Sequence, residues 1–118
     1  SDVYKRQLLG TGFPVHTIEK IDPWLKTFRA LLLKASGIRR AGAATLDLAH
    51  VAAGRFDGFW EMGLKPWDMA AGALLVREAG GLVADFDGGQ EFLEFGNIVA
   101  ANSVLFNEFL RVIHGRSR

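Results

Sequence analysis

Cysteine is absent from this chain, which excludes a disulfide framework, a thiolate zinc site and a cysteine nucleophile. A charge imbalance is lacking too. Fourteen Lys and Arg face thirteen Asp and Glu, for a formal net charge of +1, so the overall balance speaks against a specific nucleic-acid partner or an anionic membrane. No apolar run approaches the roughly 18–20 residues that span a bilayer, and no signal-peptide pattern marks the N-terminus. The expected compartment is therefore cytoplasmic. Histidine is scarce, and His16, His50 and His114 have no carboxylate or histidine at metal-ligand spacing, so each reads as structural or solvated. Ser36, Ser103 and Ser117 lack a nucleophile-elbow context. The glycines form neither a P-loop nor a dinucleotide fingerprint.

What remains is rich in apolar residues. The 118 residues fit one domain able to bury a real core. Counting its 14 glycines, about 60% of the chain is apolar, against a usual ~45–50%. Such an excess suggests a sheet buried on both faces, or a surface that expects another layer of protein.

Ser1–Gln7 is polar and aperiodic and reads as a non-native or truncated leader, leaving 8–118 as the domain. Leu8–Pro14 suits a buried strand running into a loop. From Ile18 to Ala35, Ile21, Leu25, Phe28, Leu32 and Ala35 recur at helical spacing, with Ser36-Gly37 as the stop and Asp22-Pro23-Trp24 as a turn feeding the helix. Ile38–Ala41 is a brief strand. Ala43–Ala53 is a small-residue helix with Leu46, Ala49 or His50, and Ala53 in helical register. Phe56–Met62 reads as an aromatic strand, Pro66 to about Ala79 as a proline-started helix, and Leu82–Phe86 and Asn97–Ala101 as strands. Ser103 can cap a last helix through about Ile113. The alternation predicts an α/β fold, a mixed and largely parallel sheet flanked by helices.

Two segments carry candidate chemistry. In Glu61–Gly72 a strand ends in a carboxylate, and a short loop leads into a helix with Asp68 in its first turn. Helix N-termini favour anions and nearby carboxylates, and such a carboxylate can hold a hard cation whose other positions go to waters and phosphate oxygens. Asp68 can equally be only a favourable first-turn charge. In Gly42-Ala43-Ala44-Thr45, small residues opening a helix let backbone N–H groups approach a ligand; tight helix–sheet packing explains them as well.

Pro66-Trp67-Asp68-Met69-Ala70-Ala71-Gly72, followed by Arg77-Glu78-Ala79-Gly80-Gly81, resembles the C-terminal signature of the inositol monophosphatase family. The likeness extends to Leu8–Pro14, Arg39–Asp47, Gly54–Gly58 and Asn97–Asn102, covering roughly residues 8–114 in order. The resemblance implies magnesium-dependent phosphomonoesterase chemistry on an α/β/α/β/α fold, of which this chain is the C-terminal αβα half. It implies that Asp68 ligates a catalytic Mg2+, that Glu61 accepts hydrogen bonds from substrate hydroxyls, and that Gly42, Ala43 and Ala44 contact the sugar or inositol ring. The family's Glu-Glu and Asp-Pro-x-Asp-Gly-Thr elements do not occur here. Asp22-Pro23-Trp24-Leu25-Lys26-Thr27 imitates the second only superficially. One aspartate cannot run two-metal phosphate hydrolysis, so the chain alone is expected to be inactive. Its expected partners are a small phosphate monoester and either a missing N-terminal half or a second copy. Fructose bisphosphate and nucleotide 3′-phosphate are rival substrates, although Glu61-Met62-Gly63 and Gly42-Ala43-Ala44 favour inositol phosphate. A non-catalytic binding or assembly module is the rival from a different class.

Overall fold

A computed structural model describes residues 8–12, 19, 21–33, 35–40 and 42–116. The supposed leader Ser1–Gln7, His16 and Ser117 lie outside the described residues. The elements run β1 (Leu8–Thr11), α1 (Ile21–Leu32), β2 (Gly37–Arg39), α2 (Ala44–Ala52), β3 (Gly58–Glu61), α3 (Pro66–Glu78), β4 (Leu82–Ala84), α4 (Phe92–Phe95), β5 (Ile98–Ala101) and α5 (Phe106–Arg116). The strands form one mixed sheet in the order β2-β1-β3-β5-β4. β1 pairs parallel with β2 and β3, while β5 pairs antiparallel with β3 and β4. The parallel character is thus confined to the β2-β1-β3 half.

Strand parity divides the core into two layers. Leu9, Trp60, Val99 and Ala101 point to one face, where Trp24 and Leu31 of α1 and Phe109 and Ile113 of α5 cover them. Phe59, Ile98, Ala100 and Val83 point to the other, beneath Leu48 and Val51 of α2 and Met69, Ala73 and Val76 of α3. The sheet therefore buries apolar side chains on both faces, which accounts for the apolar excess. Trp60 meets Phe109 edge-on, with centroids 6.1 Å apart.

α2 buries a different face from the one its spacing predicts, and α1 keeps only part of its predicted stripe, Phe28 and Ala35 packing against the core. In α1 the buried residues are Trp24, Thr27 and Leu31, whereas Ile21, Leu25 and Leu32 are exposed. The helix carries two interlaced apolar stripes, and size with hydrogen bonding decides between them. Trp24 offers the larger apolar area, and its indole N–H donates to Thr11 Oγ1 at 3.3 Å, while that hydroxyl donates to the Trp60 carbonyl at 3.0 Å. Thr27 hides its own hydroxyl by donating to the Pro23 carbonyl at 3.1 Å. Asp22 and Pro23 lie within the first turn of α1 rather than in a turn before it. In α2, Asp47, Leu48 and Val51 are buried and Leu46 is exposed.

Asn102, not Ser103, caps α5: its side-chain oxygen accepts from Leu105 N–H at 2.9 Å, and its carbonyl accepts from Phe106 N–H. The short α4 has no apolar period long enough to announce it. Its Phe92 closes the α2–α3 layer and lies under the Arg77 guanidinium, 5.3 Å from the ring centroid. Asp57 braces the opposite end of the sheet from Glu61. It accepts from Leu8 N–H at 2.9 Å and from the Asn102 amide at 3.2 Å. Asp85, buried, holds the loop after β4 by accepting from the N–H groups of Asp87, Gly89 and Glu91.

α2 and α3 approach closely at Gly72, where a Cβ would lie 2.6 Å from Leu48 Cβ and Cδ1. Gly72→Ala should therefore cost about 1–3 kcal/mol through overpacking. The urea midpoint measures it, and an unchanged midpoint would show that the two helices have slack.

Candidate active site

The C-terminal ends of β1 and β3 and the N-termini of α2 and α3 meet at one corner of the sheet, on its α2–α3 face. This is where open α/β sheets place ligands. Glu61 is the last residue of β3 and shares the parity of Phe59, so its half-buried side chain rises on that face. Its carboxyl group lies directly over the backbone of Gly12, just past the end of β1.

Asp68 occupies the first turn of α3, which begins at Pro66. Its Oδ2 accepts from Lys65 N–H at 3.0 Å, while Asp68 N–H donates back to the Lys65 carbonyl at 2.9 Å. This reciprocal cap fixes the carboxylate at the positive end of the helix. Its other oxygen has no hydrogen-bond donor among the described residues. The loop between β3 and α3 is pinned from behind: Gly63 N–H donates to Asn97 Oδ1 at 3.3 Å, and Leu64 N–H to the Gly96 carbonyl at 2.9 Å.

Gly42, Ala43 and Ala44 form the entry to α2. Gly42 adopts φ +86°, with open space on the side where a Cβ would stand. Such a conformation favours glycine. Ala43 is the extended N-cap and Ala44 the first helical residue, so the first-turn N–H groups point out of the helix end. One bond ties this segment to the other: Thr45 Oγ1 donates to the Asp68 carbonyl at 3.2 Å. The corner thus brings together all five residues singled out by sequence.

Asp47 is the residue that sequence reasoning missed. It is 1% exposed, and neither carboxyl oxygen has a hydrogen-bond partner among the described residues. A buried, unpaired carboxylate is costly in its charged form. Burial pushes the Asp47 pKa up to about 6. The Glu61 pKa is pushed up to about 7, first by burial and then by the negative charges of Asp47 and Asp68, with Arg40 pulling the other way. An acidic residue in the middle of the small-residue run Ala43–Ala53 was the available signal.

The remaining candidates stand apart. His50 packs on Phe56, with centroids 5.1 Å apart. His114 lies against the Phe86 carbonyl and Asp87. A groove of about 580 Å³ between α1 and α5, bordered by Lys26, Arg29 and Arg111, includes none of the corner residues. Among the described residues, no three of His, Asp and Glu group so as to hold a metal ion, and no helix is long and apolar enough to cross a membrane.

The model of the inositol monophosphatase family matches residues 3–117. The chain belongs to that family. It is 62% identical over 108 residues to the Nus factor SuhB of Pseudomonas aeruginosa, covering 90% of this chain and 40% of that protein. It is 49% identical over 106 residues to the inositol-1-monophosphatase of Mesorhizobium japonicum, again covering 90% of the chain and 40% of the relative. The crystal structure of the extragenic suppressor protein suhB from Bartonella henselae superposes with a TM-score of 0.88 at 45% identity, over 93% of this chain and 42% of that one. Inositol monophosphatase from Anabaena gives 0.81 at 36% identity, over 98% and 48%. The chain spans about two fifths of the length of the curated relatives it matches.

The raised acids make stability depend on pH. Both folded-state values exceed the unfolded ones, so their contribution is fully present below about pH 4 and is lost as pH rises through 6 and 7. Asp47→Asn removes one of these groups. Relative to the unsubstituted chain, it should gain up to ~3 kcal/mol of stability at pH 8, with the gap closing by pH 4. Thermal unfolding across that range checks this, and a gap that does not vary with pH would contradict it.

Proposed function

We propose that this chain, as the domain 8–118, supplies the polyol-binding wall and one metal ligand of a magnesium-dependent phosphomonoesterase acting on inositol monophosphate. The convergence of Asp68, Glu61 and the Gly42–Ala44 segment at one corner, tied by the Thr45–Asp68 hydrogen bond, carries this reading. Family membership supports the reaction class, and relatives named inositol-1-monophosphatase support the substrate.

The donor set suits magnesium in a limited way. Mg2+ takes oxygen ligands in near-octahedral geometry and is commonly held by one or two carboxylates with waters and phosphate oxygens completing the shell. Asp68 has a carboxylate oxygen without a donor among the described residues and would be that ligand. When bound, the ion supplies charge neutralisation at the phosphoryl group and a lowered pKa for the attacking water. The chain's own residues do the rest. Asp68, capped by Lys65 N–H, keeps its carboxylate in one rotamer. Glu61, in its ionised form, accepts hydrogen bonds from ring hydroxyls and orients the ester. The first-turn N–H groups of α2, entered through Gly42 and Ala43, approach the ring closely. Further ligands belong to the part of the relatives that this chain does not cover.

Exposed apolar residues on the outer side of α2 and α3 favour such a covering layer. Leu46, Leu74 and Leu75 are exposed there, and Trp67, beside Asp68, is 76% exposed. A second copy is the other candidate for that surface. A non-catalytic binding or assembly role has support of its own, because the relative at 62% identity is named a Nus factor.

The test joins this chain to the N-terminal part of the Pseudomonas aeruginosa relative and measures phosphate release from inositol 1-phosphate. The joined protein should release phosphate only with magnesium, and the chain alone should release none. Asp68→Asn should lower turnover by at least roughly a hundredfold. Glu61→Gln should weaken use of inositol 1-phosphate about ten- to hundredfold with metal dependence kept. A folded joined protein without turnover would favour the assembly role instead.

A further inference from the structure

Gly12 follows the β1–β3 register, in which Thr11 stands opposite Trp60. It therefore shares the α2–α3 face with Glu61 and is itself buried. Its backbone lies outside the left-handed region, so glycine is not required there by conformation. Space is the requirement. A Cβ built on Gly12 would overlap both carboxylate oxygens and the carboxyl carbon of Glu61, Oε2 being 2.7 Å away, and these are its three nearest atoms. The Glu61 carboxyl group thus fills the volume of the missing side chain.

We propose that Gly12 is a positioning residue that lets Glu61 draw back against the end of β1, and that this withdrawn position selects phosphate esters of ring polyols over esters without hydroxyls. The selectivity half rests on the phosphatase reading above. The three atoms nearest to a methyl group at position 12 all belong to the movable end of Glu61, so the carboxylate yields before the strand does. Restoring ordinary contact moves it by about 1 Å. Misplacement of this size at a reacting centre is enough to cost up to roughly a hundredfold. An ester with no hydroxyls makes no use of the carboxylate and is less affected.

The experiment compares the unsubstituted protein, Gly12→Ala and Gly12→Ala/Glu61→Asp. Position is read from crystal structures of this chain, and selectivity from KM and kcat of the joined protein with inositol 1-phosphate and 4-nitrophenyl phosphate. Gly12→Ala should displace the Glu61 carboxylate away from β1 with the strand in place. It should lower the preference for inositol 1-phosphate roughly tenfold, chiefly through KM. The double variant shortens the acidic side chain by one methylene, which leaves room for the added methyl group, so part of that preference should return. An undisplaced carboxylate, an unchanged preference, or a double variant no better than the single one would each overturn the proposal. If Gly12→Ala alone does not fold, folding of the double variant supports the claim on space, and failure of both overturns it. Absence of turnover in the unsubstituted joined protein overturns the phosphatase reading and the selectivity half with it, while the crystal structures still decide the position.

Discussion

The approach of α2 to α3 is the contact on which the corner depends. Gly72 lets α3 lie against Leu48 with no side chain between them, and one turn from the end the Thr45 hydroxyl reaches the Asp68 carbonyl. Those two points fix the relative position of the helix N-termini, and so the distance between the Gly42–Ala44 segment and the Asp68 carboxylate. The sheet beneath supplies the third position, because β3 delivers Glu61 on the same face. Rigid elements rather than a long loop therefore hold all three groups, which is the arrangement that preserves a productive geometry.

The corner is also where electrostatic stability is given up. Asp47, Glu61 and Asp68 act on one another or are buried without full compensation, and two of them hold protons far above the usual carboxylate range. Elsewhere the fold treats its buried and half-buried carboxylates differently. Asp85 accepts from three backbone N–H groups, and Asp57 from a backbone N–H and an amide. The contrast separates structural acids, which are saturated with donors, from acids kept short of them, and the latter cluster where a site is expected.

Much of this was legible in the residues. Proline at the start and glycine at the end marked α3, and Glu61 and Asp68 were placed on a strand end and a first turn from spacing alone. The faces of α1 and α2 were not legible, for a physical reason. Ile21, Leu25 and Leu32 repeat as well as Trp24, Thr27 and Leu31 do, and only the three-dimensional partners of Trp24 and Thr27 separate the two stripes. Asp47 was passed over for a related cause: a charge in a run of small residues is a signal, but only the packing of α2 on the sheet shows that this one is buried. The antiparallel placement of β5 between β3 and β4 has no local signal, since either direction satisfies the same apolar run. The Glu61–Gly12 contact joins residues far apart in the chain, and a glycine's value as empty space cannot be seen without its neighbour.

The Asp57 clamp has a consequence for the order in which the chain assembles. Asp57 reaches 49 residues back to Leu8 and 45 residues forward to Asn102, whereas β4 and β5 pair across fewer than twenty residues. Closing long loops before any contact compensates for the lost entropy is slow. The β4–α4–β5 unit, with Asp85 gathering its own loop, can close early. β3 must then recruit β1 from far upstream, and both Glu61 and Gly12 sit on that last seam. Local opening by the reverse route would separate β1 from β3 while the β4–β5 hairpin survives. Amides of β5 should then outlast those of β1 in native-state hydrogen exchange, and the corner that holds Glu61 and Gly12 would come apart before the core does.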